Sequence, residues 1–185
     1  MILVIIYILT IFFGKDYFSI SQLGVFFTFL GIVWLLFNIK KFPQNSSLVS
    51  LSFLKKSFQP IILTLIGLIS SQQESFLILK SFPLTLSSLF FLAFIYAQIT
   101  HDFFLIKYIG KFKKLDRKEE KYLQKTHLIW IVVTGINVAL HSYFLFYRST
   151  AEWTFYSTIG WYILLASGIL FQILFRRFYE RQNTY

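Results

Sequence analysis

Apolar residues run along this chain in six long stretches that are separated by short polar connections. A helix that crosses the hydrocarbon core of a bilayer, roughly 30 Å thick, needs about 20 largely apolar residues. The stretches come near that length, so the pattern predicts an all-α, polytopic transmembrane helix bundle that forms one domain over residues 1–185. The predicted spans cover residues 1–14, 18–37, 58–71, 83–100, 128–147 and 156–175.

The first and third spans are the shortest of the six. The third span could extend backwards through Leu51 and Leu54, and Pro60 and Pro83 lie near the starts of their spans, where a missing backbone donor costs little. Residues 1–14 have no basic segment ahead of the apolar run and no small-residue cleavage site. We therefore expect a retained first span rather than a cleaved signal peptide, and five spans if this one is not inserted.

The distribution of charge gives the predicted bundle an orientation. Lysine and arginine number one, four, one, eight and one in the successive connections, and three after the last span. The basic-poor connections are each neutral, whereas the basic-rich ones carry +4, +4 and +2. Because basic residues favour the cytoplasmic side, the alternation predicts two cytoplasmic termini and anionic lipid headgroups as partners at that face. The net charge of +10 then needs no nucleic-acid partner.

The composition agrees with immersion in lipid and excludes several kinds of chemistry. Hydrophobic residues make up 56% of the chain and charged residues 14%, against about 25% charged in soluble domains. The chain has no cysteine, which removes disulfides, thiolate metal sites and thiol nucleophiles. No carboxylate falls well inside a predicted span, and no phosphate-binding or hydrolase motif is present. We expect no cofactor, no metal and no catalytic residue.

The segment over residues 102–115 combines apolar and basic residues at helical spacing. This pattern predicts a cytoplasmic amphipathic helix in the headgroup region, either as a simple surface helix or as a dedicated partner-binding element. Asp116 with Glu119 resembles a capping box, so a further helix is predicted to start at Arg117 and to continue into span five. The expected contacts with lipid headgroups are Lys107, Lys111, Lys113 and Lys114.

Span five carries a stripe of polar and aromatic side chains at spacings of 3, 4, 3 and 4 residues. At 100° per residue these positions lie within an arc of about 80°. Such a stripe should face other helices or a wet cavity, because lipid would leave its polar groups unpaired. It is either a set of packing contacts or a functional polar pocket or proton-handling site. Its members are His127, Trp130, Thr134, Asn137 and His141.

Two further groups of residues have plainer interpretations. Gln98, His101 and Asp102 cluster at the inner end of span four, close in depth to His127, and we expect headgroup contact there rather than a metal site. Small and polar residues elsewhere let helix backbones approach closely, and we interpret them as packing positions. They are Gly24 and Gly31 in span two, Gly135 in span five, and Ser157, Gly160, Ser167, Gly168 and Gln172 in span six.

From Leu115 onward the chain resembles an uncharacterised family of bacterial inner-membrane proteins, some of which are encoded with aryl-polyene or fatty-acid-type biosynthesis genes. It is also distantly similar to the intracellular septation protein A family, although the spacing from Trp130 to Asn137 is shorter here. The resemblance implies a bacterial inner membrane and a supporting role in envelope or lipid metabolism, and it transfers no catalytic residue. The matching positions are Leu115, Lys121, Tyr122, Lys125, Trp130, Asn137, Phe82, Pro83, Trp153, Gly160 and Tyr162.

Three functional hypotheses follow from these features. The first is a non-enzymatic inner-membrane protein that supports cell-envelope or lipid-like product biogenesis through protein and lipid contacts, with a possible homo-oligomer or other inner-membrane proteins as partners. The second is a small transporter or flippase for a lipid-like substrate, whose path is lined by the stripe of span five. The third is a lipid-modifying membrane enzyme, which would need His101, Asp102 or His127 at the inner surface.

Overall fold

The computed structural model describes residues 2–40, 51–110 and 112–182. Within these ranges the chain forms helices joined by turns and short irregular segments, without any β-strand, as the predicted all-α fold requires. In chain order the helices are α1 (Ile2–Gly14), α2 (Ile20–Lys40), α3 (Leu51–Gln73), α4 (Phe76–Lys80), α5 (Phe82–Ile99), α6 (Phe104–Ile109), α7 (Arg117–Tyr147), α8 (Thr150–Phe155) and α9 (Trp161–Gln182), with a π-helical turn, Tyr156–Gly160, between α8 and α9.

Each predicted span lies in a helical region, but the helices differ in whether they are long and apolar enough to cross a membrane. Helix α1 contributes only Val4–Gly14 as a short apolar helix, and α3 mixes its apolar residues with lysine, serine and glutamine. The described ranges thus contain four segments that are long and apolar enough to span, and a total of six spans stays a prediction. These segments are Ile20–Lys40, Phe82–Ile99, Arg117–Tyr147 and Thr150–Arg177.

The described helices pack as two compact units. Unit 1 lies within Met1–Leu86 and Arg148–Thr154, and unit 2 lies within Ser87–Tyr147 and Phe155–Tyr185. The chain therefore leaves unit 1 inside α5, returns to it after α7 and leaves it again at the end of α8. The prediction of one domain over the whole chain stays a prediction.

In unit 1, helices α2 and α3 pack backbone to backbone through glycines. A β-carbon built on Gly24 would lie 2.7 Å from the carbonyl oxygen of Gly67, and one built on Gly67 would lie 2.6 Å from the nitrogen of Thr28. A β-carbon on Gly31 would lie 2.9 Å from the nitrogen of Thr64. Since real β-carbons do not approach backbone this closely, the interpretation of Gly24 and Gly31 as packing positions is confirmed, with Gly67 as their counterpart.

Helix α1 contributes to the core of unit 1. Tyr7 and Ile8 are almost completely buried. The ring of Tyr7 packs against Phe27 and Phe82, with centroid separations of 4.3 and 4.8 Å, and its hydroxyl donates a hydrogen bond to the carbonyl oxygen of Leu79. One tyrosine therefore joins α1 to α2, to the end of α4 and to the start of α5.

Three helices begin at capping boxes, in which two residues three positions apart each accept a hydrogen bond from the other's backbone N–H. The pairs are Ser19 with Gln22 before α2, Asp116 with Glu119 before α7, and Ser149 with Glu152 before α8. The second pair confirms the predicted start of α7 at Arg117. A hydrogen bond from Lys113, with help from the backbone of Asp116, holds the pKa of the Glu119 carboxyl below its usual range.

The basic segment after α5 is less helical than its spacing predicts. His101 adopts a left-handed φ of 54°, and the N–H of Asp102 bonds the carbonyl oxygen of Ala97 at 3.0 Å, which closes the end of α5. Helix α6 then covers only six residues, and Gly110 follows it. Glycine is a poor helix former, and the chain must also turn before α7 begins. The helix predicted over residues 102–115 is therefore shorter than expected.

The glycine contacts predict that Gly24→Ala lowers the free energy of unfolding by about 1–3 kcal/mol, the usual cost of overpacking. This loss is expected even though alanine has the better helix propensity by about 1 kcal/mol, because the new methyl group meets backbone atoms. Unfolding by dodecyl sulfate in mixed micelles measures the change. Val25→Leu, which adds a methylene on the exposed face of the same helix, is the control and should have no effect. A stabilising Gly24→Ala change would refute the close approach.

Candidate functional site

The stripe predicted on span five lies on the protein-facing side of α7, within unit 2. His127, Thr134, Asn137 and His141 are buried, and Trp130 is half-buried. The opposite side of the helix carries apolar side chains that are exposed and suited to lipid. These are Leu128, Val132 and Ile136.

Asn137 is the centre of a buried hydrogen-bond network. Its Nδ2 donates to Ser87 Oγ at 2.9 Å, and its Oδ1 accepts from the Tyr156 hydroxyl at 2.7 Å. The three side chains are all buried, and Asn137 itself is only 4% exposed. Because Ser87 is on α5 and Tyr156 begins the π-helical turn, one amide joins three helical segments of unit 2.

Tyr156 is positioned by its ring as well as by its hydroxyl. The ring stacks on Phe144 with centroids 4.7 Å apart, and His141 meets it edge-on at 4.9 Å. Gly160 leaves room for this ring, since a β-carbon there would lie 2.5 Å from Tyr156 Cδ2. Single π-helical turns are often found at functional sites, and Tyr156 is the first residue of this one. Among the described residues, Nδ1 of His141 has no hydrogen-bond partner.

At the other end of the stripe, His127 is enclosed by α5 and by the segment before α6. Its Nε2 lies 2.9 Å from the carbonyl oxygen of Phe94. The rings of Phe94 and Phe103 lie 5.2 and 5.0 Å from the imidazole, centroid to centroid. This histidine is therefore a buried contact between α7 and its neighbours.

Gln172 of α9 connects to the same stretch of α7. Its Oε1 accepts from Trp130 Nε1 at 3.0 Å, its Nε2 donates to Thr126 Oγ1 at 3.3 Å, and its backbone oxygen accepts from the Tyr122 hydroxyl at 2.6 Å. Thr134 instead turns its hydroxyl to the carbonyl oxygen of Trp130 in its own helix, at 2.7 Å. The interpretation of Gln172 as a packing residue is confirmed by these contacts.

Gly135 and Gly168 also lie at close contacts between helices. A β-carbon on Gly135 would lie 3.1 Å from the ring of Phe91, and one on Gly168 would lie 3.0 Å from Val133. Ser167 bonds only the carbonyl oxygen of Ile163 in its own helix and is exposed. Ser157 is buried, and no described residue forms a hydrogen bond with its hydroxyl.

Ser87, Phe94 and Tyr156 are the site residues that sequence reasoning missed. Ser87 lies in an apolar helix with a second serine beside it, so its sequence context does not distinguish it. Tyr156 could have been suspected from its position four residues before Gly160, a pair that lets an aromatic ring lie flat over the helix. Phe94 contributes its backbone carbonyl, and no sequence signal identifies such a group.

The cluster at the inner end of span four does not converge on one site. His101 is exposed, Asp102 pairs with Lys107, and the Oε1 of Gln98 is buried without a partner among the described residues. The Phe103 ring contacts both His101 and His127, at centroid distances of 6.2 and 5.0 Å. No group of three histidine, aspartate or glutamate side chains within the described ranges could hold a metal ion.

The lysines expected at lipid headgroups are only partly available for them. Lys107 pairs with Asp102, and Lys113 pairs with Glu119 at 2.5 Å. Lys114 is exposed, and Lys111 lies outside the described residues. Surface pairs of this kind contribute little to stability, so they leave the lysines able to exchange partners with lipid.

Comparisons with protein-family models, with curated proteins and with solved structures find nothing that matches this chain. The resemblance described from the sequence therefore stays a prediction.

The Asn137 network predicts that Tyr156→Phe lowers the free energy of unfolding by about 1 kcal/mol, because the buried Asn137 oxygen loses its donor. Hydrogen bonds between membrane helices reach about 1.7 kcal/mol in double-mutant cycles, which bounds the effect. The measurement is a cycle of Tyr156→Phe with Asn137→Ala in mixed micelles.

Tyr96→Phe is the matched control, because that tyrosine is 66% exposed on α5. A coupling energy near zero in the cycle, or an equal cost for the two tyrosine variants, would contradict the network.

Proposed function

We propose that this chain is a non-enzymatic, multi-pass protein of the bacterial inner membrane that supports cell-envelope or lipid-like product biogenesis through protein and lipid contacts. The observation that carries the proposal is the hydrogen bonding of the Asn137 side chain. Its amide nitrogen bonds Ser87 and its amide oxygen bonds Tyr156, so the side chain holds helices together. A stripe used in this way stabilises a bundle and offers little to a substrate.

Contacts within each unit support the proposed assignment of connections to the same side of the membrane. In unit 1, Lys80 lies near Trp153, and both belong to connections that are predicted to lie outside. In unit 2, Tyr122 lies near Arg176, and both are predicted to lie at the inner face. Residues that the charge pattern assigns to one side of the membrane therefore meet each other.

The proposed partners follow from two exposed surfaces. At the inner face, Lys114 and its basic neighbours suit anionic lipid headgroups. Helix α9 exposes most of its apolar side chains, and these suit lipid chains, a second copy or another inner-membrane protein. The most exposed of them include Ile163, Leu170, Phe171 and Ile173.

A second candidate function is a small transporter or flippase for a lipid-like substrate. It is favoured by His141, which is buried at the end of the stripe while its Nδ1 has no partner among the described residues. An imidazole with an unused nitrogen could hold a polar headgroup or a proton during passage.

Reconstitution into liposomes with fluorescently labelled phosphatidylglycerol separates the two candidates. Reduction of the label by dithionite reports how fast lipid crosses the bilayer. We expect protein-containing liposomes to match empty ones, because the stripe is occupied by contacts between helices. Rapid flipping that His141→Ala abolishes, while the exposed-histidine control His101→Ala retains it, would overturn the proposal in favour of the transporter. The unfolding transitions of both variants verify that they are folded.

A further inference from the structure

Lys80 is a buried cation at the end of α4, in the connection that is predicted to lie outside. It is 7% exposed. Among the residues whose burial the structure describes, the other lysine, arginine, aspartate and glutamate side chains are at least partly exposed. The surroundings of a lysine that is buried to this extent therefore need an explanation.

Two aromatic rings line the surroundings of this ammonium group. Its Nζ lies 5.5 Å from the centroid of Phe76 and 5.3 Å from that of Trp153, which is itself 1% exposed. Rings at these distances attract a cation through their quadrupoles. They do not accept its N–H groups as a carboxylate or a carbonyl oxygen would.

No described residue accepts a hydrogen bond or forms an ion pair with Lys80, so its three N–H donors are unused within those ranges. Two glutamates lie in the chain segments that form the site. Glu152 accepts from the amide and hydroxyl of Ser149 and faces Arg148, while Glu74 is exposed. Burial lowers the pKa of the Lys80 ammonium, and the cost of this burial falls when an anion is bound.

The surrounding chain holds the lysine and the two rings in place. The carbonyl oxygen of Leu79, next to Lys80, accepts a hydrogen bond from the buried Tyr7 hydroxyl. Trp153 is on α8, whose start is fixed by the capping box of Ser149 and Glu152. The backbone N–H of Trp153 donates a hydrogen bond to the carbonyl oxygen of Ser149 at 2.9 Å. Both sides of the site therefore belong to well-packed parts of unit 1.

We propose that Lys80, Phe76 and Trp153 form a binding site for the phosphate group of an anionic membrane lipid at the outer face. A single cation matches the single charge of a phosphodiester, and two aromatic walls suit a ligand that is partly apolar. Leu77, exposed on the same short helix, offers further apolar surface beside the site. The proposal rests on the proposed function in placing the chain in a bilayer with this connection at the outer face.

The test is binding of dioctanoyl phosphatidylglycerol to the purified full-length protein in detergent, measured by native mass spectrometry. We expect Lys80→Met to weaken binding of the first lipid by at least about tenfold, as loss of a charge-assisted hydrogen bond does. Lys80→Arg should retain binding, and Lys15→Met, at an exposed lysine that pairs with Asp16, should leave it unchanged. Equal affinity of the wild-type protein and Lys80→Met would overturn the site.

A second measurement needs no variant at position 80 and so does not depend on how that variant folds. Reductive methylation of the wild-type protein is followed at each lysine by peptide mass spectrometry. Phosphatidylglycerol should slow methylation of Lys80 at least about tenfold relative to the exposed Lys15, whereas zwitterionic phosphatidylcholine should not. Equal protection by inorganic phosphate would contradict the lipid as the ligand and would indicate a site for a free anion. Absence of protection would overturn the site, without affecting the flipping assay that tests the proposed function.

Discussion

A polar side chain in the middle of an apolar helix must find its hydrogen-bond partner on another helix, because hydrocarbon offers none. Asn137 meets this requirement at both ends of its amide, through Ser87 and Tyr156. The other contacts of unit 2 extend the same principle along α7, with His127 on the backbone of α5 and Gln172 linking α9 to Trp130. The polar residues of the stripe thus select which helices pack together, while the apolar residues on the opposite face are exposed.

The helices of unit 1 are held in contact in a different way. Among the residues that the structure describes, the two long helices, α2 and α3, meet by backbone approach at Gly24 and Gly67. Tyr7 then attaches α1 through one hydroxyl and one ring. These contacts support α4, whose last residue is the buried Lys80. Close backbone contact thus joins α2 to α3 in unit 1, whereas side-chain hydrogen bonds join the helices around Asn137 in unit 2.

Much of the fold could be predicted because long apolar runs in a sequence are typical of helices that can span a membrane. The elements, the start of α7 at Arg117 after the cap Asp116, and the buried face of the stripe all follow from local spacing. The hydrogen-bond partners do not follow from local spacing. The spacing on α7 shows which side of the helix is buried, but it does not identify Ser87 or Tyr156 as the groups that this side meets. The π-helical turn at Tyr156 departs from the 3.6-residue period on which such reasoning depends. Gly110 likewise shortens α6 where the alternation of apolar and basic residues favoured a longer helix.

The contacts around Asn137 imply that the polar interior of unit 2 is packed and dry, and the absence of cysteine from the chain makes this directly testable. Ser157→Cys places one thiol at a buried position of the π-helical turn, and Ser149→Cys places one at an exposed position before α8. The measurement is the rate of reaction with a charged methanethiosulfonate in liposomes. We expect rapid modification of the second variant and essentially none of the first. Comparable rates for the two thiols would show a water-filled path and contradict it.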